Sequence, residues 1–349
     1  MIGISETGRA VRRTEGVRAP RERGILRNAV GAGYPVRQAV RLLRYIWVMF
    51  PPAALVPIGI GQFFSLYFAL QALAGTDPLQ LGWRPVVAAV SCVLWMLLVR
   101  LQDDIADADA DIRLGRAGDP RYRDRPIVRG DITVPELRVM YLGGTVLLFG
   151  LNLSFGLSAM FVACVLGVGI TWLGFHWFFI PALAHSPTPL AYLARKALAI
   201  TFGLYALAVF VDDFGAAAVS PWAVPLLLAP CAAVAAWETA RKIRIPEDET
   251  EYATYSKVLG WQRAALLPVP FVALSFACLA PVARTAGLGW AFPVVLGAAG
   301  AIAVGACLRF RLAPTRKRAN LRPYAQLFGA VAHGGLTIAL VLHYGVVIR

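Results

Sequence analysis

The amino-acid sequence predicts an all-α integral membrane protein with nine transmembrane helices. Three observations carry that prediction. Of 349 residues, 58% are hydrophobic and only 15% charged, against about 25% charged in a soluble domain. Apolar stretches of about 20 residues, the length needed to cross a bilayer, recur nine times along the chain. The basic residues fall almost wholly in alternate loops. With a mean hydropathy of +0.63, these features exclude an ordinary soluble domain, a disordered chain and a collagen-like one.

The nine stretches are 45–73, 84–101, 134–154, 157–181, 192–211, 221–240, 264–282, 288–308 and 325–347. The first contains Pro51, Pro52 and Pro57, which predict a kink near its start. Of the 34 basic residues, 31 fall on one side of this arrangement; only Arg84, Arg284 and Arg349 fall on the other. By the positive-inside rule the N-terminus is cytoplasmic and the C-terminus external. The net charge of +14 and the pI near 10.1 therefore set orientation, and no nucleic-acid partner is expected. Residues 1–36 are polar and Arg-rich, with no apolar signal-peptide segment. They read as a disordered basic cytoplasmic arm attracted to anionic membrane lipid, ahead of a membrane domain at 37–349. The expected location is a bacterial cytoplasmic membrane. Cys92, Cys164, Cys231, Cys278 and Cys307 lie singly in apolar stretches and read as small core residues. His176, His185, His333 and His343 show no metal-ligand spacing and read as satisfied or interfacial.

The chemistry begins where the second stretch ends. Gln102-Asp103-Asp104-Ile105-Ala106-Asp107-Ala108-Asp109-Ala110-Asp111 places five carboxylates in nine residues. Asp104, Asp107 and Asp111 share a helix face, and Asp103 joins it through its four-residue step to Asp107. Clustered carboxylates repel unless a cation neutralises them, and hard oxygen ligands suit Mg²⁺ bridging to a substrate phosphate. A solvated acidic loop is the plainer alternative. Against it stand Arg121, Arg123, Arg125 and Arg129, which follow within 18 residues of Asp111. A phosphate-bearing substrate held by Mg²⁺ and arginines accounts for both signs.

Asp103-Asp104-x-x-Asp107-x-x-x-Asp111, then Arg125-Pro126-Ile127-Val128-Arg129-Gly130, resembles the UbiA superfamily of intramembrane prenyltransferases. Their first motif reads NDxxDxxxD, followed by RPL-x-x-G. Asp103 stands where the Asn is usual; Asp104, Asp107 and Asp111 fall on the three aspartates. The resemblance implies a bundle around a central cavity, with Mg²⁺ as cofactor at Asp103, Asp104, Asp107 and Asp111. It also implies a polyprenyl or oligoprenyl diphosphate substrate, gripped by Arg125 and Arg129.

The family's second motif, DxxxD at the end of the sixth helix, is not reproduced. Here Glu238, Arg241 and Lys242 occupy that helix end, Pro246 follows, and Thr254 to Gly260 is similar to the family's following tail. On one reading Glu238 is a metal ligand, while Arg241 and Lys242 contact the diphosphate in place of a second ion. On the other, Glu247 and Glu251 substitute for the missing pair. A cluster of i,i+4 charge pairs at a helix end is the plainer account. The first reading is adopted because Glu238 lies within the span, where burial of a charge needs a purpose. Arg44, before the first span, is a further diphosphate contact that the resemblance implies, and Lys196, opening the fifth span, is a candidate for the same pocket by its position. Trp172, Phe175, Trp177, Phe178 and Trp237 are available to line a prenyl groove.

The expected activity is Mg²⁺-dependent ionisation of an allylic prenyl diphosphate and transfer of the prenyl group to a small, aromatic-type acceptor. Asp104, Asp107, Arg241 and Lys242 are the expected catalytic residues. Intramolecular terpene cyclisation is the alternative. A cation transporter is disfavoured, because charge clusters at one face and not at mid-membrane.

Overall fold

The computed structural model describes residues 34–180, 182, 197–249 and 254–349. Most of the expected arm, and with it Lys196 and Glu251 elsewhere in the chain, lies outside them. The chain divides into a short unit, Met1–Arg44, and a large one, Tyr45–Arg349, which holds the helical bundle.

The first expected span is two helices and not one kinked helix. α1 (Tyr34–Met49) ends ahead of Pro51, and α2 (Pro52–Leu73) opens on Pro52, where a missing N–H costs no helical bond. Strand β1 (Leu79–Leu81) leads into α3 (Trp83–Arg116), a helix of 34 residues. At 1.5 Å per residue that is about 51 Å, well beyond a hydrocarbon layer of about 30 Å. Its last turns therefore project past the apolar segment and carry the acidic run. The single turn α4 (Pro126–Arg129) precedes α5 (Val134–Leu153), whose start is fixed by a Thr133–Glu136 capping box. Then come α6 (Ala159–Phe175), α7 (Ala197–Phe214), α8 (Ala223–Ala240), and the short α9 (Tyr255–Leu259) and α10 (Trp261–Ala264). The chain continues through α11 (Pro268–Thr285), α12 (Ala291–Leu312), α13 (Arg316–Ala319) and α14 (Arg322–Ala330). A π turn (Val331–Gly335) joins α14 to α15 (Leu336–Tyr344), and strand β2 (Val346–Ile348) ends the fold.

Among the described residues, seven helices are long and apolar enough to cross a membrane by length and composition. The two remaining expected spans coincide with α6, slightly short at 17 residues, and with α7, described from Ala197 onward. The last span stops at Tyr344, not at 347. Gly345 turns the chain at φ +67°, and β2 pairs in parallel with β1, Leu79 opposite Val346.

Within the large unit the spans close a ring of packed neighbours. α3 packs on α2 and α5, α6 on α5 and α7, and α8 on α7 and α11. α12 packs on α11 and α14, and α15 returns to α2. A buried aromatic layer joins α2, α3 and α7: Trp95 meets Phe202 and Tyr205 at centroid distances of 5.0 and 6.0 Å, and Phe63 stacks on Tyr67 at 5.7 Å. Gly167 admits the Trp95 indole, since a Cβ there would lie 2.1 Å from its ring. Gly167→Ala is accordingly expected to destabilise the protein by about 1–3 kcal/mol through overpacking, read as a lowered thermal transition in detergent. An unchanged transition would contradict that packing. At the end opposite the acidic run, Asp212 accepts the Ala159 and Met160 N–H groups at 3.0 and 2.8 Å, and Asp213 accepts the Tyr67 hydroxyl at 2.7 Å and pairs with Arg84. This acidic pair caps α6 and ties α2 to α3.

Candidate active site

Helical spacing splits the acidic run of α3 into two faces. Asp104 and Asp111 turn inward and are only 4% and 3% exposed. Asp103, Asp107 and Asp109 are exposed. Asp107 nevertheless lies within electrostatic reach of both buried carboxylates. A buried carboxylate is tolerated only when paired and hydrogen-bonded, and both are. Asp104 accepts the Tyr45 hydroxyl at 2.5 Å and pairs with Arg100, one turn earlier, at 2.7 Å. Asp111 pairs with Arg125.

The turn that delivers Arg125 follows from its sequence. Arg125 is the N-cap of α4, Pro126 occupies the first helical position, and Gly130 closes the turn at φ +76°, a left-handed conformation that glycine adopts without Cβ strain. The turn seats on α3 at Gly115, where a Cβ would lie 2.5 Å from the Val128 side chain. The Arg125 guanidinium lies over the Tyr122 ring, 4.6 Å from its centroid. Arg129, on the same turn, is exposed and pairs with Asp131 instead.

At the second expected site Glu238 is buried, and Arg241 reaches its Oε2 at 2.9 Å. Arg241 and Arg322 both lie over Trp237, at 5.3 and 5.8 Å. Lys242 is half-buried just beyond. The loop that follows is tied at both ends: the Arg244 N–H donates to Ser256 Oγ at 2.7 Å, and Thr254 caps α9. Arg316 donates Nε to Asp248 at 3.0 Å. Across from it, Arg121 clamps Asp119 through Nε and Nη2 at 3.0 and 2.6 Å. Asp248 and Arg244 stand within electrostatic reach of this clamp. The loops after α3 and α8 therefore meet over one end of the bundle.

The Arg121 side chain and its backbone N–H hold Asp119 down at about 2. A depressed folded value stabilises the clamp above the ordinary carboxylate range and loses that effect as pH falls toward 2. Protection of the Arg121 amide from hydrogen exchange is expected to hold at pH 5 and to fade between about pH 4 and 2. Protection indifferent to that interval would contradict the clamp.

Sequence reasoning missed three members of this site. Tyr45 is 59 residues from Asp104 and leaves no local signal. Arg100 was legible as an i,i+4 partner of Asp104. The Tyr122 ring under Arg125 sits within the loop already singled out. The sequence groups Asp103, Asp104, Asp107, Asp111 and Glu238 as metal ligands, yet among the described residues no three His, Cys, Asp or Glu side chains converge as a metal-binding group. Arginines, and not a shared centre, balance the buried carboxylates. Arg44 belongs to the short unit on α1, and Lys196 lies outside the described residues.

Two solved structures share this fold over nearly their whole length. An apo UbiA homolog from Aeropyrum pernix K1 superposes with a TM-score of 0.56 at 21% identity, covering 81% of this chain and 97% of that one. A digeranylgeranylglyceryl phosphate synthase structure superposes with a TM-score of 0.54 at 14% identity, covering 87% and 99%. The chain has the UbiA fold. No protein-family model and no curated protein sequence matches it. In this UbiA fold the buried aspartates, the Arg125 turn and the two meeting loops occupy one end of a helical membrane bundle.

Proposed function

We propose that this protein is an intramembrane prenyltransferase that ionises an allylic prenyl diphosphate at the cytoplasmic mouth of its bundle and transfers the prenyl group to a small acceptor. One observation carries the reading: Asp104 and Asp111 are buried at the end of a membrane-spanning helix, with Arg125 delivered against them by a dedicated turn. Two buried carboxylates are costly, and a soluble loop has no need of them.

The acidic face supplies hard carboxylate oxygens and neither sulfur nor imidazole, which suits Mg²⁺. Asp104, Asp107 and Asp111, which do not converge on one centre by themselves, would have to draw together to hold it, with Asp103 at the edge and Glu238 as a separate position. When bound, the ion supplies neutralisation of the charge that builds on the leaving diphosphate. Tyr45 and Arg100 fix the Asp104 carboxylate in place. Arg125 offers a planar fork, held over the Tyr122 ring, that fits a diphosphate oxygen pair. The Arg100 Nε is buried without a hydrogen-bond partner among the described residues and gives the anion a further donor. Arg241 and Lys242 are secondary contacts, and Arg129 is a reserve held by Asp131. The prenyl tail runs between apolar helices open to lipid. The clamped loops bearing Asp119, Arg121, Asp248 and Arg316 exclude water from the developing cation.

The test is inorganic diphosphate release by the purified full chain in lipid nanodiscs, with Mg²⁺ and farnesyl or geranylgeranyl diphosphate, with and without a small phenol. Release that requires the phenol supports transfer. Release without it, yielding a cyclic hydrocarbon, assigns cyclisation, and no release from either diphosphate refutes the proposal.

A further inference from the structure

The π turn Val331–Gly335 interrupts the last span and sets His333 against α2. π turns cost regular hydrogen bonding and recur at functional sites. The His333 Nδ1 stands 3.3 Å from Ser65 Oγ, and Ser65 Oγ lies closer, 2.8 Å, to the Gln62 carbonyl oxygen. A serine hydroxyl has one hydrogen. Spent on the Gln62 carbonyl, it leaves Ser65 Oγ only to accept, so the imidazole donates from Nδ1. Its Nε2 is then a bare acceptor, with no hydrogen-bond partner among the described residues. The ring is half-buried, while its turn packs against α2, α8 and α12. Part of the ring therefore stays open to a partner.

A second group points the same way. Gln62 is 7% exposed, and its carboxamide likewise has no partner among the described residues. It lies three residues before Ser65, on the same face of α2. A carboxamide donor and an imidazole acceptor thus stand unspent on facing segments in an apolar interior, where an unmade hydrogen bond is costly. His333 is eleven residues along from Arg322, about 16 Å of helix from the end that carries the acidic face. A hydrocarbon tail cannot satisfy either group. A hydroxyl satisfies both, donating to Nε2 and accepting from the carboxamide.

Resting on the proposed prenyl transfer, we infer that Gln62 and His333 form a hydroxyl-binding subsite that selects and seats the acceptor, with Ser65 fixing the imidazole tautomer. Ser65 is a positioning residue; Gln62 and His333 touch the ligand.

The test measures binding of 1-naphthol and of 1-methoxynaphthalene to the purified full chain in nanodiscs, without any diphosphate. The wild type is expected to prefer the naphthol by about tenfold or more, the usual cost of leaving such groups unpaired. His333→Phe and Gln62→Leu are expected to erase that preference while binding the ether normally, and His333→Gln to restore part of it. In ¹⁵N-histidine spectra the naphthol is expected to move the His333 Nε2 resonance. Equal binding of the two probes to the wild type overturns the inference, as does a preference unchanged in both variants. So does a shift of product double-bond position in His333→Phe without acceptor, which would make Nε2 a proton acceptor in cyclisation. Naphthol selectivity without diphosphate release keeps the subsite and removes prenyl transfer; release without selectivity does the reverse.

Discussion

Asp104→Asn is expected to lower diphosphate release by about 10²–10³-fold or more, the loss that follows removal of a preorganised electrostatic group. The variant keeps the shape of the side chain but removes its charge, and strands Arg100, which pairs with Asp104 at 2.7 Å. Breaking a buried pair from one side costs stability as well as activity, so a modest fall in thermal transition should accompany the loss. Asp107→Ala separates the two effects. Asp107 is exposed, so its removal should spare folding while still depleting the acidic face. Turnover in Asp107→Ala within threefold of wild type would remove it from the catalytic set.

Arg125→Lys is expected to cost about 10²-fold in kcat at nearly unchanged stability. Lysine preserves the charge opposite Asp111, but it lacks the planar fork and the delocalised guanidinium that stands over Tyr122 at 4.6 Å. The expected signature is a fall in kcat exceeding any rise in KM, because the contact strengthens as the leaving group gains charge. A lysine variant with full kcat would reduce Arg125 to a structural counter-ion for Asp111.

The sequence carried the fold far because membrane crossing is a one-dimensional property. Length, apolarity and alternation of arginines mark the spans: seven described helices are long and apolar enough to cross, and the two other stretches fall on α6 and on the described part of α7. What it misplaced were ends. Pro51-Pro52 broke a helix where a kink was expected, and the tail 346–348 found a strand partner at 79–81, which no local pattern announces. At the site, α-helical spacing placed Asp104 and Asp111 on one face, and both are buried. Asp103 and Asp107 fell on the exposed side, because they lie about 100° and about 60° around the helix from Asp104, against about 20° for Asp111. Arg129 looked equivalent to Arg125 in sequence, yet Asp131 two residues on captures it. Tyr45 was invisible for a different reason: its partner is 59 residues away. His333 read as an ordinary histidine because nothing in Val331–Gly335 signals a π turn before the backbone is seen.

The claim at the centre of this account is that the acidic mouth breaks an allylic C–O bond. Inorganic diphosphate release from geranylgeranyl diphosphate, compared with its saturated phytanyl counterpart, tests it most directly. Saturation removes the allylic stabilisation of the cation but leaves the diphosphate unaltered. Release from the allylic substrate alone, lost in Asp104→Asn, is the predicted result. Equal release from both would show attack at phosphorus and contradict ionisation at this site.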